Sequence, residues 1–293
     1  MNLYYFGSAL NLSSLYILAG LGSCVAVKSG EFNLGGEGQV YAGGFTAAVV
    51  LAGLQKLPAV VAVPAAFICA FIVSALIAMI SALLKYYKNA DFLFTTFIAS
   101  SAVIPLIDGL IAGPFRGKTG NLLATPFIQE KFQFKSILPP SNCNVSFIIA
   151  IVLCVLGFFF IFRSSFGRKL CIYGVSPKFS LYSGYNPMQI TFSAAVISGG
   201  FHGICGAVAI CGTYYTCHSG FYSGIGWNAL SASLIAFANP LLLLPSSIVL
   251  AFIITYANKF GLYHNFGFDV SSIIQAVILF MIAIFVCRKR EVK

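Results

Sequence analysis

Residues 29–44 read SGEFNLGGEGQVYAGG, with apolar runs before them and almost unbroken apolar sequence after them to the C-terminus. A membrane-spanning helix belongs at this place, yet the stretch holds six glycines, two glutamates, an asparagine and a glutamine. Lipid offers no partner to a free backbone N–H or C=O. Loosened, polar backbone at membrane depth is therefore tolerated only where it packs on protein or lines a cavity. In transporters, glycine-interrupted hydrophobic segments mark such places. The stretch points to a polar path through a membrane protein.

Composition sets the class. The 293 residues are 59% hydrophobic and 8% charged, with a mean hydropathy of +0.93. A soluble domain carries about 25% charged residues, so this chain has too few charges to cover a water-facing surface. It reads as all-α, a polytopic helical membrane protein forming one transmembrane domain over residues 1–293. The N-terminus shows neither a basic n-region nor a small-residue cleavage site, so the first apolar run reads as the first span rather than a signal peptide. The net charge of +10 is spread over many loops, which excludes a nucleic-acid face and suits a positive-inside bias. Nine cysteines lie mostly in apolar runs. There they act as small hydrophobes, and an odd, scattered set is no disulfide framework.

A span needs about 20 mostly apolar residues. Spans are predicted at 8–27, 34–54, 57–84, 91–112, 145–163, 188–211, 226–243, 245–258 and 270–287, for seven to nine transmembrane helices with a glycine-rich broken segment at 34–54. Pro240 and Pro245 bracket four leucines, so a broken or re-entrant helix is the alternative there. With nine spans and the N-terminus outside, Lys28, Lys85, Lys88, Arg163, Arg168, Lys169, Lys178, Arg288, Lys289, Arg290 and Lys293 fall in the cytoplasm. Lys56, Arg116, Lys118, Lys131, Lys135 and Lys259 fall outside. Eleven cations against six agrees with the positive-inside rule.

Two connections are long. Residues 113–144 contain Gly-Pro and Pro-Pro and are expected as an extracytoplasmic loop. Residues 164–187 are basic and are expected as a cytoplasmic loop holding one short helix. Ser176 is its expected N-cap, Pro177 its first residue and Gly184 its stop. A short helix beneath the membrane plane is well placed to take force from a soluble partner.

Several residues carry two readings. Glu37 is too costly for a lipid-facing position, at about 2.5–3.5 kcal/mol near the bilayer centre. Either it meets the hydroxyls of a solute, or it accepts from nearby N–H groups and holds the broken segment in shape. Asn33 and Gln39 share that choice. Gly35, Gly36 and Gly38 read as close-packing positions, as do Gly199, Gly203 and Gly206, which fall near one helix face. His202 on that helix is a buried neutral histidine by default and a ligand contact otherwise. Asp108 is expected to be solvated or to pair with Arg116. Tyr214, Tyr215, Phe221, Tyr222 and Trp227 read as an interfacial aromatic belt, the alternative being a surface that passes a flat ring. His202, Cys205, Cys211, Cys217 and His218 match no zinc spacing, so no metal site and no cofactor are expected. AGPFRGKT at 112–119 imitates a phosphate loop but lacks the first glycine and the preceding strand. No nucleophile–base pair is in a workable arrangement, so the chain does not read as an enzyme.

Four blocks carry a family resemblance. FNLGGEGQVYAGGF (32–45) resembles the NxGxEGQ segment in permease subunits of ABC importers for nucleosides and simple sugars. That wider family also serves ribose, branched-chain amino acids and, in some members, riboflavin. FGRKLCIYGVSPKFSLYSGYNPMQ (166–189) is similar to its cytoplasmic loop, SGGFHGICGAVAICG (198–212) to its glycine-spaced helix, and GIGWNALSASLIAFANPL (224–241) to the segment after it. All four stand in family order. The chain departs in having Ser176 where the family usually has asparagine, in Lys178–Ser180 where a small pair is usual, and in the leucines after Pro240.

The resemblance implies a permease subunit that forms the path for a small polar solute, foremost a nucleoside or related ribosyl compound, with a sugar or riboflavin as further members of that set. Asn33, Glu37, Gln39, His202, Trp227 and Asn228 would line the path. Gly174, Ser176, Pro177, Lys178, Ser180 and Gly184 would form the coupling loop. It implies separate ATPase subunits, a second permease subunit (a related chain foremost, or a second copy of this one), an extracytoplasmic binding protein, and residence in the inner membrane; the charge count puts the C-terminus in the cytoplasm. The rival reading is a stand-alone carrier driven by protons or Na⁺, which needs buried acidic residues in its spans; Glu37 and Asp108 are the available ones.

Overall fold

The computed structural model describes residues 3–117, 122–265 and 270–291. Lys118 and Lys293, and the side chains of Cys287, Arg288, Lys289 and Arg290, lie outside what is described, as does the end of the 112–119 phosphate-loop imitation. Among the described residues the chain is all helical, without strands. Six helices are long and apolar enough to cross a membrane. These are α1 (Leu3–Lys28), α3 (Ala59–Lys88), α4 (Phe92–Ala112), α5 (Ser146–Arg163), α8 (Pro187–Ala209, continued by a π-turn to Tyr214) and α10 (Pro240–Tyr263). Between them stand α2 (Gly36–Gly53), α6 (Ser165–Val175), α7 (Pro177–Tyr182) and α9 (Ile225–Ile235), and α11 (Val270–Glu291) follows α10.

Helix starts follow local chemistry. Asn186 and Asn239 cap α8 and α10 by accepting from backbone N–H groups of the first turn, and each is followed by proline at the first helical position. Proline has no N–H to lose there, and its fixed φ suits a helix start. Asp91 caps α4 in the same way, 2.8 Å from Leu93 N. At the tight α3–α4 corner Asn89 takes the left-handed conformation, φ 53°.

The bundle has a centre. α1 packs on α5, α8, α9 and α10, and α8 packs on α1, α2 and α3. Contacts along the helices fix direction. Asn11 meets Thr213 and Cys205 meets Leu15, so α1 and α8 are antiparallel. Phe6 meets Phe252, and a Cβ on Gly20 would touch Leu243, so α10 also runs against α1. Two ends result. One carries Lys28, Lys85, α6 and α7; the other carries the 113–145 segment. That segment lies across the end of α8 through backbone bonds from Thr125 N to Cys217 O (2.9 Å), Ile128 N to Tyr215 O (2.9 Å) and Phe134 N to Cys211 O (2.8 Å).

Three expectations need correction. The 164–187 connection holds two helices, α6 and α7, where one was expected, because Ser164 caps a first helix as Ser176 caps the second. The break near Pro240 falls at 236–239, where Phe237 and Ala238 adopt positive φ; Pro240 opens α10 and Pro245 sits inside it. One long helix replaces the expected pair of ends at 243 and 245, because proline is tolerated at a helix start and neighbours can re-satisfy the backbone around one inside it. The aromatic run does not form an outward belt. Tyr41 packs on Phe221 and Tyr222 with ring centroids 5.6 and 4.6 Å away, and Tyr214 packs on Phe221. Folding the 215–224 connection inward removes more of these rings from the surroundings than an interfacial position would. The eight described cysteines are all unpaired.

Candidate functional site

The site grows from the segment between α1 and α2. Gly30 turns the chain with φ 77°, and residues 31–35 run non-helical until α2 begins at Gly36. Nearly every polar group here is met by a neighbour. Asn33 Nδ2 donates to Gln39 Oε1 and to Ser198 Oγ, both at 2.9 Å, while its Oδ1 accepts from Gly35 N at 2.9 Å. Leu34 N donates to Thr96 Oγ1 (3.1 Å) and Gly38 N to Ser100 Oγ (2.7 Å). Ser74 Oγ donates to Gln39 O at 2.7 Å. Helices α3, α4 and α8 thus supply the hydrogen bonds that lipid would not. Asn33 and Gln39 are buried within this network.

Glu37 stands at the first turn of α2, and its carboxylate accepts from Trp227 N at 3.0 Å. Trp227 is the third residue of α9, whose own preceding residue, Gly224, offers no side-chain cap. A helix start leaves its first N–H groups without intrahelical partners and bears partial positive charge. Glu37 therefore caps α9 from another helix. The two helix starts touch: a Cβ on Gly226 would sit 2.6 Å from Glu37 N, and one on Gly36 would sit 2.9 Å from His202 Nε2.

His202 Nδ1 lies 2.7 Å from Ser198 O and donates to it, which leaves Nε2 as an acceptor. That Nε2 is buried and without a partner, as is Asn228 Oδ1. Asn228 Nδ2 donates to Tyr16 OH at 3.0 Å. Trp227 is half-buried, its ring 6.4 Å from that of the exposed Phe97. Five sequence-selected residues thus gather where α2 and α9 begin: Asn33, Glu37, His202, Trp227 and Asn228, with Gln39 one turn behind. Asp108 is half-buried, and of its two expected states the pairing with Arg116 is not the one found. It accepts from Tyr41 OH (2.6 Å) and Ser219 Oγ (2.7 Å), and among the described residues it makes no ion pair with Arg116.

The glycines pack backbone against backbone. A Cβ on Gly203 would overlap Ala70 O of α3, one on Gly43 would overlap Gly203 itself, and one on Gly206 would overlap Val40 O of α2. Gly199 faces Ser74 O at 2.6 Å by the same measure, Gly35 faces Thr96 O at 2.8 Å, and Gly38 faces Ser100 at 2.7 Å. At the other site, Ser176 Oγ accepts from Phe179 N (3.3 Å), Pro177 opens α7, and Gly184 follows its end with φ 78°. Lys178 is exposed and Ser180 is buried. Gly174 lies against Lys28 O and Gly30 N, closer than any Cβ would permit. In the turn after the π-turn, burial holds His218 below the usual histidine range.

Sequence reasoning missed four residues that complete these sites: Tyr16, Ser198, Thr96 and Glu31. Glu31 is buried, and Lys85 Nζ donates to its Oε1 at 2.5 Å. The sign was a second glutamate in a glycine-rich stretch with a lysine ending the next long helix. Among the described residues no group of three or more His, Cys, Asp or Glu is arranged to hold a metal ion.

Fold and site define a polytopic helical membrane protein in which two helices begin inside the bundle around a carboxylate that caps one of them and two buried acceptors without donors. The sequence model of the family described as "Branched-chain amino acid transport system / permease component" matches residues 5–285, and the chain belongs to this family. A Treponema pallidum (strain Nichols) protein described as "Probable riboflavin import permease protein" is 31% identical over 282 residues, 95% of this chain and 74% of its own. The guanosine ABC transporter permease protein of Bacillus subtilis (strain 168) is 27% identical over 237 residues, 80% of this chain and 68% of its own. A nucleoside ABC transporter permease protein of Lactococcus lactis subsp. cremoris (strain MG1363) is 23% identical over 292 residues, 95% and 79% of the two chains. No solved structure matches. The chain is a permease subunit of an ABC transport system, a multi-pass protein of the inner membrane. It is not itself an enzyme, since ATP hydrolysis belongs to a separate subunit.

Proposed function

We propose that the chain forms half of the translocation path of an ATP-driven importer for a nucleoside or related ribosyl compound, flavins included, in complex with a related second permease chain. The observation that carries this reading is the pair of buried acceptors without donors, His202 Nε2 and Asn228 Oδ1, beside the half-buried Trp227. A buried polar atom in this condition calls for an explanation. Solute hydroxyls donate to acceptors, and a flat ring stacks on an aromatic face. The names of three relatives, for riboflavin, guanosine and nucleosides, agree with a ring joined to a hydroxylated chain, whereas two others are named for glucose. An ion-driven carrier needs its acidic residues free to take up an ion, whereas Glu37 caps α9 and Asp108 holds two hydroxyls.

In this reading the chain crosses nine times, with α2 and α9 as the two crossings that begin as non-helical backbone at membrane depth. The end that carries α6, α7, Lys28 and Lys85 faces the cytoplasm, and the 113–145 segment faces outward, in keeping with the cation distribution. Gly174, Ser176, Pro177, Lys178, Ser180 and Gly184 form the surface on which the ATPase acts, and a binding protein delivers solute to the opposite end.

Uptake of radiolabelled guanosine, riboflavin and glucose by cells expressing this chain with its partner subunits tests the solute. Ring-bearing solutes should accumulate and glucose should not; accumulation of glucose alone overturns the reading. Co-purification tests the machine. The ATPase should accompany the wild-type chain and be lost when Pro177–Gly184 becomes a Gly/Ser linker. An ATPase that never accompanies the chain overturns the complex.

A further inference from the structure

The structure joins the α6–α7 loop to the site through one buried carboxylate. Glu31 lies between the end of α1 and the Asn33 network, and its Oε1 takes the Lys85 ammonium at 2.5 Å. The glutamate is 5% exposed and the lysine 36%. Thr191 Oγ1 of α8 stands 3.5 Å from Glu31 Oε1 and 3.3 Å from the hydroxyl of Tyr173 on α6. Next to Tyr173, Gly174 presses on Lys28 and Gly30 with no room for a Cβ. Two residues beyond Glu31, Asn33 donates to Ser198, which is two turns after Thr191 on the same face of α8. The end of α6 therefore touches the backbone of the turn that feeds the broken segment, and reaches its Glu31 side chain through Thr191. α8 braces that turn at Thr191 and at Ser198.

We propose that Glu31 is the positioning residue that transmits movement of the loop helices to the solute site, with Lys85, Thr191 and Tyr173 as its partners. This rests on the importer reading above. Three physical points support it. First, Tyr173 reaches Glu31 through Thr191, and Gly174 bears on Lys28 and Gly30, so a displacement of α6 that carries both must shift this turn or break those contacts. Second, backbone packed on backbone is stiff, and the Gly174–Gly30 contact leaves no side chain to absorb the motion. Third, the segment from 31 to 39 is tied internally through Asn33 and Gln39, so it moves as one piece and takes the Glu37 cap of α9 with it. The two-state element is the 31–37 segment. The ATPase biases it at one end and the solute at the other.

The measurement is solute uptake per ATP hydrolysed by the whole importer in proteoliposomes, for wild type and three variants. Glu31→Gln keeps shape and loses charge. Glu31→Gln with Lys85→Met removes both partners of the ion pair, so that neither charge is left buried alone. Thr191→Val removes only the hydroxyl bridge to Tyr173. Each variant should retain the ATPase subunits and their basal hydrolysis. Uptake per ATP should fall roughly tenfold in both Glu31 variants, within the range typical of coupling between distant sites, and less, about threefold, in Thr191→Val, which removes one link of several. Thr191→Val also guards against misfolding of the charge variants. Unchanged uptake per ATP in a variant with normal assembly overturns the proposal. Loss of uptake and hydrolysis together does so too, because it shows a merely structural role. If the wild type itself gathers no ATPase, the importer reading fails first, and that outcome is separate from any effect of Glu31.

Discussion

The helices at the centre of the bundle and those at its flank obey opposite rules. In α1 and α8 the spanning stretches are 83% and 78% buried. They hold Asn11, Ser13, Ser14, Ser198, His202 and a run of glycines. In α4 and α5 the share is 22% each, and Phe94, Ile98, Leu106, Ile148, Val152 and Phe159 face outward. In water the more apolar helices would be the inner ones. In lipid no hydrophobic force draws helices together, so close packing of small residues and hydrogen bonds between helices decide which ones go inside. The least uniformly apolar helices are therefore the core, and the site sits where they are most polar.

The contrast breaks first at the glycine crossings. Gly203→Leu pushes a side chain into Ala70 O and the Ser74 side chain, and overpacking of this kind costs about 3 kcal/mol or more. Gly109→Leu on α4 meets nothing within 4 Å and should leave stability unchanged or raise it by up to about 1 kcal/mol through helix propensity. Thermal unfolding and monodisperse yield in detergent should separate the two variants. Equal tolerance would mean that α2, α3 and α8 do not cross backbone to backbone.

Glu37 gives the next largest effect. Glu37→Ala leaves Trp227 N unsatisfied at a buried helix start, a cost of about 1–3 kcal/mol. Glu37→Gln keeps an oxygen at the same reach and should cost about 1 kcal/mol or less. Capping thus predicts Gln well above Ala in thermal stability. If the two fall together, the charge rather than the hydrogen bond holds α9.

Much of this arrangement was legible beforehand, for reasons that differ along the chain. Spans show as apolar length, and α7 shows because Ser176-Pro177 is local cap chemistry. The stretch at 29–44 shows because polar, glycine-rich sequence has few other uses between apolar runs. The partners of that stretch do not show. Ser198, Thr96, Ser100 and Tyr16 look like ordinary helix residues until folding brings them to Asn33, Leu34, Gly38 and Asn228. Glu31 hides for a related reason: its cation lies 54 positions away on another helix. The inward fold of Tyr214–Tyr222 depends on Tyr41 across the bundle, which no window of sequence contains.

Asp108 sharpens the comparison at the boundary between core and flank. It is on α4, yet it holds Tyr41 of α2 and Ser219 of the inward-folded connection. Asp108→Asn keeps one acceptor oxygen but removes its charge, lowering two charge-assisted bonds to neutral ones, at about 1 kcal/mol in all. Proteolysis of the 215–224 connection should become faster while the bundle melts nearly as before. A loss as large as that of Glu37→Ala would place Asp108 with the core.

The smallest effect comes from one substitution made in two places. Ala207 lies in the last turn of α8, where the helix runs on into the π-turn, and Ala238 lies in the break between α9 and α10; both are buried. In a helix, alanine to glycine costs about 1 kcal/mol from backbone entropy alone, and Ala207→Gly should show at least that. Ala238 has φ 51°, a conformation that costs an alanine about 1–2 kcal/mol and a glycine almost nothing. Relief of that strain offsets the lost methyl group, so Ala238→Gly should change stability by less than about 0.5 kcal/mol, in either direction. Comparing the two unfolding midpoints separates backbone strain from packing, because each variant loses the same methyl. If Ala238→Gly costs as much as Ala207→Gly, the left-handed turn at 237–238 is not what divides α9 from α10, and the break must then be held by Asn239 and Pro240 alone.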